Sequence, residues 1–75
     1  MTSKQRYILD HAEAEGVPYI ILPAWDECAI NAVLKYFEGV QSMGCSGRYI
    51  NEVNDCVNAF TAFRMNNLGK LRLPD

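Results

Sequence analysis

The 75 residues suffice for one domain, since independently folding units rarely fall below about 50 residues. Apolar residues make up 49% of the chain, which excludes an intrinsically disordered polypeptide. Seven basic and nine acidic residues give a formal net charge of −2, which argues against a general binder of polyanions. The composition therefore predicts a small soluble domain covering residues 1–75.

Turn-forming residues divide the chain into three candidate helices. The first is predicted from about Ser3 to Glu15, with Thr2 and Gln5 as a capping box and Gly16 as the terminating residue. Its apolar face is narrow, so we expect this helix to depend on packing against the rest of the domain.

Residues 17–22, VPYIIL, are apolar, β-branched and flanked by proline. The segment is too short for a helix, which predicts a buried strand or an extended connector. The C-terminal tail, residues 70–73, alternates polar and apolar side chains and is the candidate strand to pair with it.

The second helix is predicted to begin at Pro23 and to stop at Gly39. Asp26 and Glu27 would then complement the positive end of its dipole. Its apolar residues recur at helical spacing on one side. They are Trp25, Ala29, Ile30, Val33, Leu34, Tyr36 and Phe37.

The third helix is predicted from Ser46, as N-cap, to about Asn66 or Asn67. Its apolar side supplies most of the expected core: Tyr49, Ile50, Val53, Cys56, Val57, Phe60 and Phe63. The predicted fold is mainly α, with the second and third helices antiparallel across the glycine-rich turn at 44–47. The first helix is expected to pack across this pair.

Three cysteines, Cys28, Cys45 and Cys56, cannot all pair within one chain. The first residues are polar and no apolar signal-peptide region follows, so we expect a cytoplasmic protein with reduced, half-buried thiols. With no C-x-x-C pair and only His11 as a histidine, neither a metal nor another cofactor is expected.

Motifs for catalysis and membrane insertion are missing from the sequence. Gly44-Cys45-Ser46-Gly47 lacks the G-x-S-x-G spacing of a nucleophile turn, and no phosphate-binding loop is present. The longest apolar run, Tyr19–Leu22, is far too short to span a membrane. We therefore expect a protein that is not an enzyme and has no membrane partner.

Two features favour binding to another protein. Aromatic residues exceed what so small a core can enclose, and Trp25 and Tyr36 are the candidate interface anchors. On the third helix, Asn51, Asn54 and Asn58 lie on one face at i, i+3 and i+7. Asparagine is a poor helix former, so its repetition on one face indicates hydrogen-bonding positions.

The chain resembles many phage-encoded accessory proteins in its size, its charge and its lack of catalytic motifs. No sequence motif carries this resemblance. It implies a protein that inhibits or redirects one host protein complex, for example a defence system, by direct binding. The alternatives are a small regulator that binds nucleic acid through Arg64, Lys70 and Arg72, and a self-assembling structural subunit. The basic segment is short, so nucleic acid is the less favoured partner.

A homodimer, with contact through the second or third helix, is a further expectation because small cores often need a partner subunit.

Overall fold

The computed structural model describes residues 3–74 and consists of three helices. They are α1 (Ser3–Glu15), α2 (Ala29–Ser42) and α3 (Gly47–Asn66), followed by a short 3₁₀ turn at Leu68–Lys70. No strand forms among the described residues, which confirms the mainly α fold. The predicted capping box depends on Thr2, which lies outside the described residues.

The centre of the fold is the antiparallel pair α2 and α3. The hydroxyl groups of Tyr36 and Tyr49 are 2.6 Å apart near the connecting turn, and Arg64 pairs with Glu27 at the other end at 2.7 Å. The buried side chains of the described residues lie between the two helices and are all small. They are Ala29, Val40, Val53 and Val57.

The predicted start of α2 at Pro23 is wrong, because the helix begins at Ala29. The amide of Cys28 donates to the Asp26 carboxylate at 2.8 Å, which closes a turn. The backbone of Asp26 also forms a parallel bridge with Arg72. Bonding to a distant part of the chain therefore outweighs the local preference for a helix that starts at the proline.

The predicted stop of α2 at Gly39 is also wrong, since the helix continues to Ser42. A glycine inside a helix costs only about 1 kcal/mol relative to alanine, which the packing of Val40 can offset. The helix ends before Gly44, whose φ of 72° is the left-handed conformation typical of a terminating glycine.

The predicted boundaries of α3 are confirmed. Ser46 is the N-cap, and its hydroxyl accepts a hydrogen bond from the amide of Tyr49 at 3.2 Å. The helix ends at Asn66 and carries Arg64 in its last turn, where a cation complements the helix dipole.

Residues 17–22 form an extended connector, one of the two predicted forms, but they are not buried. Ile20 is 78% exposed and Ile21 is also open to solvent. The predicted pairing with the tail is wrong: the amide of Arg72 donates to the carbonyl of Trp25 at 2.9 Å, and the amide of Glu27 donates to the carbonyl of Arg72. The tail therefore pairs with the segment just before α2.

Helix α1 packs loosely against this pair and contributes no buried residue. Its main polar link is the Lys4 ammonium, which lies 2.7 Å from the Glu52 carboxylate and 4.9 Å from the centre of the Tyr49 ring. An open space consequently remains between α1 and the α2–α3 pair.

Candidate functional site

The predicted partner-binding residues lie on separate surfaces. Asn51 and Asn58 are exposed on α3, and Asn54 between them is half-buried. The side chains of the three, named here the asparagine stripe, form no hydrogen bond with another described residue. Their amide donors and acceptors are therefore available to a partner.

Trp25 lies apart from this stripe, in the segment before α2. The residue is 48% exposed, and its backbone carbonyl accepts a hydrogen bond from the amide of Arg72. The guanidinium carbon of Arg72 lies 5.3 Å from the centre of the indole ring, which is cation–π range. The ring lines a shallow cleft with Pro23, Leu73 and Pro74. Trp25 is thus an exposed aromatic side chain on a fixed support.

Tyr36 belongs to a third surface, the open space between α1 and the α2–α3 pair, named here the apolar groove. The groove has a volume of about 780 Å³. Its walls come from every helix and from the connector at 17–22. They include Ile8, Ile20, Leu22, Val33, Tyr36, Tyr49, Val53 and Cys56.

The apolar groove and the asparagine stripe face in different directions. At about 100° per residue, the stripe lies on the side of α3 opposite Tyr49, Glu52 and Cys56, which line the groove. Trp25 does not line the groove either. The structure therefore does not bring Tyr36 and the asparagine stripe together on one surface.

The groove was not predicted from the sequence. Its only local signal is the apolar run at residues 19–22, which is also typical of a buried strand. The groove exists because α1 stands away from α2 and α3, and that depends on contacts between distant parts of the chain.

The tyrosine pair at one end of the groove changes the acidity of one hydroxyl. The hydrogen bond to Tyr36, followed by partial burial, raises the pKa of Tyr49 to about 12. The folded state therefore holds the Tyr49 proton more tightly than the unfolded chain, whose tyrosines ionise near pH 10.

The raised pKa of Tyr49 predicts that the folded state loses stability in alkaline solution. The contribution of the pair is complete below pH 10 and is lost as the pH rises from 10 towards 12. We expect the melting temperature to fall over that interval in the wild type and to fall less in Tyr49→Phe. Thermal melts followed by circular dichroism measure both, and equal falls in the two proteins would contradict the assignment.

Two of the three basic residues considered for nucleic-acid binding are engaged within the chain. Arg64 pairs with Glu27, and the guanidinium of Arg72 lies over Trp25. Lys70 is exposed in the 3₁₀ turn. Because Arg64 is partly neutralised by Glu27, the positive charge that this segment offers to a phosphate backbone is small.

The cysteines are free, and their environments differ from the prediction of half-buried thiols. Only Cys45 is half-buried, whereas Cys28 and Cys56 are exposed. In the described part of the chain, no three His, Cys, Asp or Glu side chains come close enough together to hold a metal ion. Among the helices within residues 3–74, none combines the length and apolar character that crossing a membrane requires.

Two further groups on α1 and α3 have local partners. The ammonium of Lys4 holds the pKa of the Glu52 carboxyl below its usual value through their hydrogen bond. The Nδ1 atom of His11 lies 2.9 Å from the carbonyl oxygen of Tyr7. The imidazole ring of His11 also packs against the ring of Tyr7. Both are surface interactions within or between helices, and neither places a base beside a nucleophile.

Comparison of the chain with models of protein families, with curated proteins and with solved structures gives no match. The geometry of the surfaces described above is therefore the basis for assigning a function.

Proposed function

We propose that this chain is a small non-enzymatic binding protein that inhibits or redirects a larger protein complex by direct contact. The observation that carries the proposal is Trp25, which is half-exposed on a backbone fixed by the bridge between Asp26 and Arg72. Tryptophan is enriched among the residues that dominate binding energy, and a backbone that is already ordered loses little entropy on binding.

The asparagine stripe supports the same proposal with a different chemistry. Asn51, Asn54 and Asn58 have unused donors and acceptors on the surface of a regular helix. Each asparagine lowers helix stability by several tenths of a kcal/mol relative to good helix formers, so the stripe slightly destabilises the fold. Such amides give an interface specificity, because a partner that lacks complementary groups leaves them unpaired.

The proposed place of action is the cytoplasm. Cys28 and Cys56 are exposed and unpaired, and the reducing conditions there keep such thiols free.

The test is a binding assay of Trp25→Ala against the protein that wild-type chain captures from a cell lysate. We expect a loss of at least about 2 kcal/mol, or roughly 30-fold in Kd, because the indole supplies a large apolar contact. Helix content measured by circular dichroism should stay close to that of the wild type, since Trp25 lies outside the helices.

The matched control is Met43→Ala, which removes an exposed apolar side chain from the other end of the α2–α3 pair. We expect this variant to bind as the wild type does. Equal affinities for wild type and Trp25→Ala, with the fold intact, would contradict the role of Trp25.

A further inference from the structure

The interactions of Trp25 connect it to the C-terminal tail, residues 71–74. The backbone carbonyl of Trp25 accepts a hydrogen bond from the amide of Arg72 at 2.9 Å, and the guanidinium carbon of Arg72 lies 5.3 Å from the centre of the indole ring. Leu73 and Pro74 line the same cleft as the ring. Both the main chain and the side chain of Trp25 are therefore in contact with a segment from the other end of the chain.

Glu27 shows how the segment before α2 is attached to the rest of the fold. Its amide donates to the carbonyl of Arg72 at 2.8 Å, and its carboxylate pairs with Arg64 of α3 at 2.7 Å. The ion pair ties this segment to α3 independently of the tail. Detachment of the tail would therefore leave Glu27 tied to α3 while it removes the contacts of Trp25.

The attachment of the tail is weak. Its backbone pairing with the segment before α2 is a parallel bridge between Asp26 and Arg72, made by two hydrogen bonds. None of its described residues is buried: Leu71 is half-buried and Leu73 is 72% exposed. A segment with few buried apolar contacts opens at a much lower free energy than the whole fold. The tail can therefore detach while the α2–α3 pair stays folded.

We propose that the C-terminal tail, named here the strap, positions Trp25 for partner binding, so that the affinity of the chain depends on whether the strap is closed on the segment before α2. With the strap closed, the indole is held beside the guanidinium of Arg72. With the strap open, the ring samples many orientations, and only a fraction of the molecules is ready to bind. Arg72 is thus a positioning residue. This inference deepens the proposed function and rests on it.

The experiment follows Trp25 directly, because it is the only tryptophan of the chain. Its fluorescence is quenched with acrylamide in the wild type and in full-length Arg72→Pro, which lacks both the amide donor and the guanidinium. Leu71, at φ −75° and ψ 140°, already has the conformation that a following proline requires. We expect the quenching constant to rise towards about twice the wild-type value, because Trp25 is 48% exposed with the strap closed.

Two further variants separate the backbone of Arg72 from its side chain. Arg72→Ala keeps the amide and removes the guanidinium, so its quenching constant should lie between those of the wild type and Arg72→Pro. Lys70→Ala removes the same charge from the neighbouring 3₁₀ turn, outside the cleft of Trp25, and should be quenched like the wild type. Helix content by circular dichroism should be unchanged in all three, since both positions lie outside the α-helices.

Binding is then measured on the same variants, against the protein captured in the test of the proposed function. We expect Arg72→Pro to weaken binding about 10-fold, because a smaller fraction of the molecules presents the indole in the binding orientation. In Trp25→Ala the same substitution should have no further effect, since the strap acts through the ring.

Three results would overturn the strap. The first is equal quenching of Arg72→Pro and the wild type, which would leave the proposed function standing. The second is a freed ring without loss of affinity. The third is a loss of affinity from Arg72→Pro that is as large in Trp25→Ala, which would show that Arg72 contacts the partner itself.

If Arg72→Pro loses helix content, Arg72→Ala decides in its place. A quenching constant of Arg72→Ala no higher than that of Lys70→Ala would then overturn the strap. Wild-type affinity of Trp25→Ala would refute the proposed function and the role of the strap in binding, whatever the quenching shows.

Discussion

Replacing Val57 with aspartate is expected to lower the free energy of unfolding by at least about 4 kcal/mol. Val57 is one of the four buried side chains of the described residues and lies on α3, which packs against α2. The substitution loses the burial of the valine and places a carboxylate without a partner in the core, at a combined cost of at least about 4 kcal/mol. A chain of this length has a total stability of about 4–11 kcal/mol, so a loss of this size removes between about one third and all of it.

The matched control is Asn58→Asp, which introduces the same carboxylate at the next position, on the exposed side of α3. Its expected effect is below about 0.5 kcal/mol. Urea titration followed by circular dichroism gives both values. A Val57→Asp protein as stable as Asn58→Asp would show that the contact between α2 and α3 is not the core.

Replacing Asn51, Asn54 and Asn58 together with alanine is expected to change stability and binding in opposite directions. Alanine is the best helix former, so the free energy of unfolding should rise by about 1–2 kcal/mol over the three positions. Partner binding should weaken by more than about 100-fold, because each missing amide leaves a polar group of the partner unpaired at about 1–3 kcal/mol. A thermal melt and a binding assay on the same sample measure the two effects.

Asn31→Ala is the control for this triple variant, because Asn31 is an exposed asparagine on α2. It should raise the melting temperature slightly and leave binding unchanged. A triple variant that melts well below the wild type would show that the stripe supports the fold. A triple variant that binds normally would show that the stripe is an ordinary solvated surface.

The parts of the fold that could be predicted are those determined by neighbouring residues. The end of α1 before Gly16 and the N-cap of α3 at Ser46 depend on local capping, and both predictions match the structure. The start of α2 depends on the bridge between Asp26 and Arg72, two residues from opposite halves of the chain. No pattern near Pro23 contains that information.

The surface features divide in the same way, into those set by neighbouring residues and those set by contacts between distant residues. The helical spacing of Asn51 and Asn58 relative to the buried valines already predicts that they face solvent, and both are exposed. The groove could not be predicted. The sequence shows that Ile8 and Ile20 are apolar, but it does not show which other parts of the chain lie beside them. The two basic residues Arg64 and Arg72 are engaged with Glu27 and Trp25, and these pairings are visible only in three dimensions.

The most direct test of partner binding through α3 is photo-crosslinking from single positions in the cell that carries the protein. A photoreactive amino acid at position 54, in the middle of the asparagine stripe, is compared with the same group at position 38. Glu38 is exposed and lies on the side of α2 away from the buried Ala29 and Val40. We expect one discrete covalent adduct with another protein from position 54 and none from position 38. No adduct from position 54, or the same adducts from both positions, would contradict a binding surface on α3.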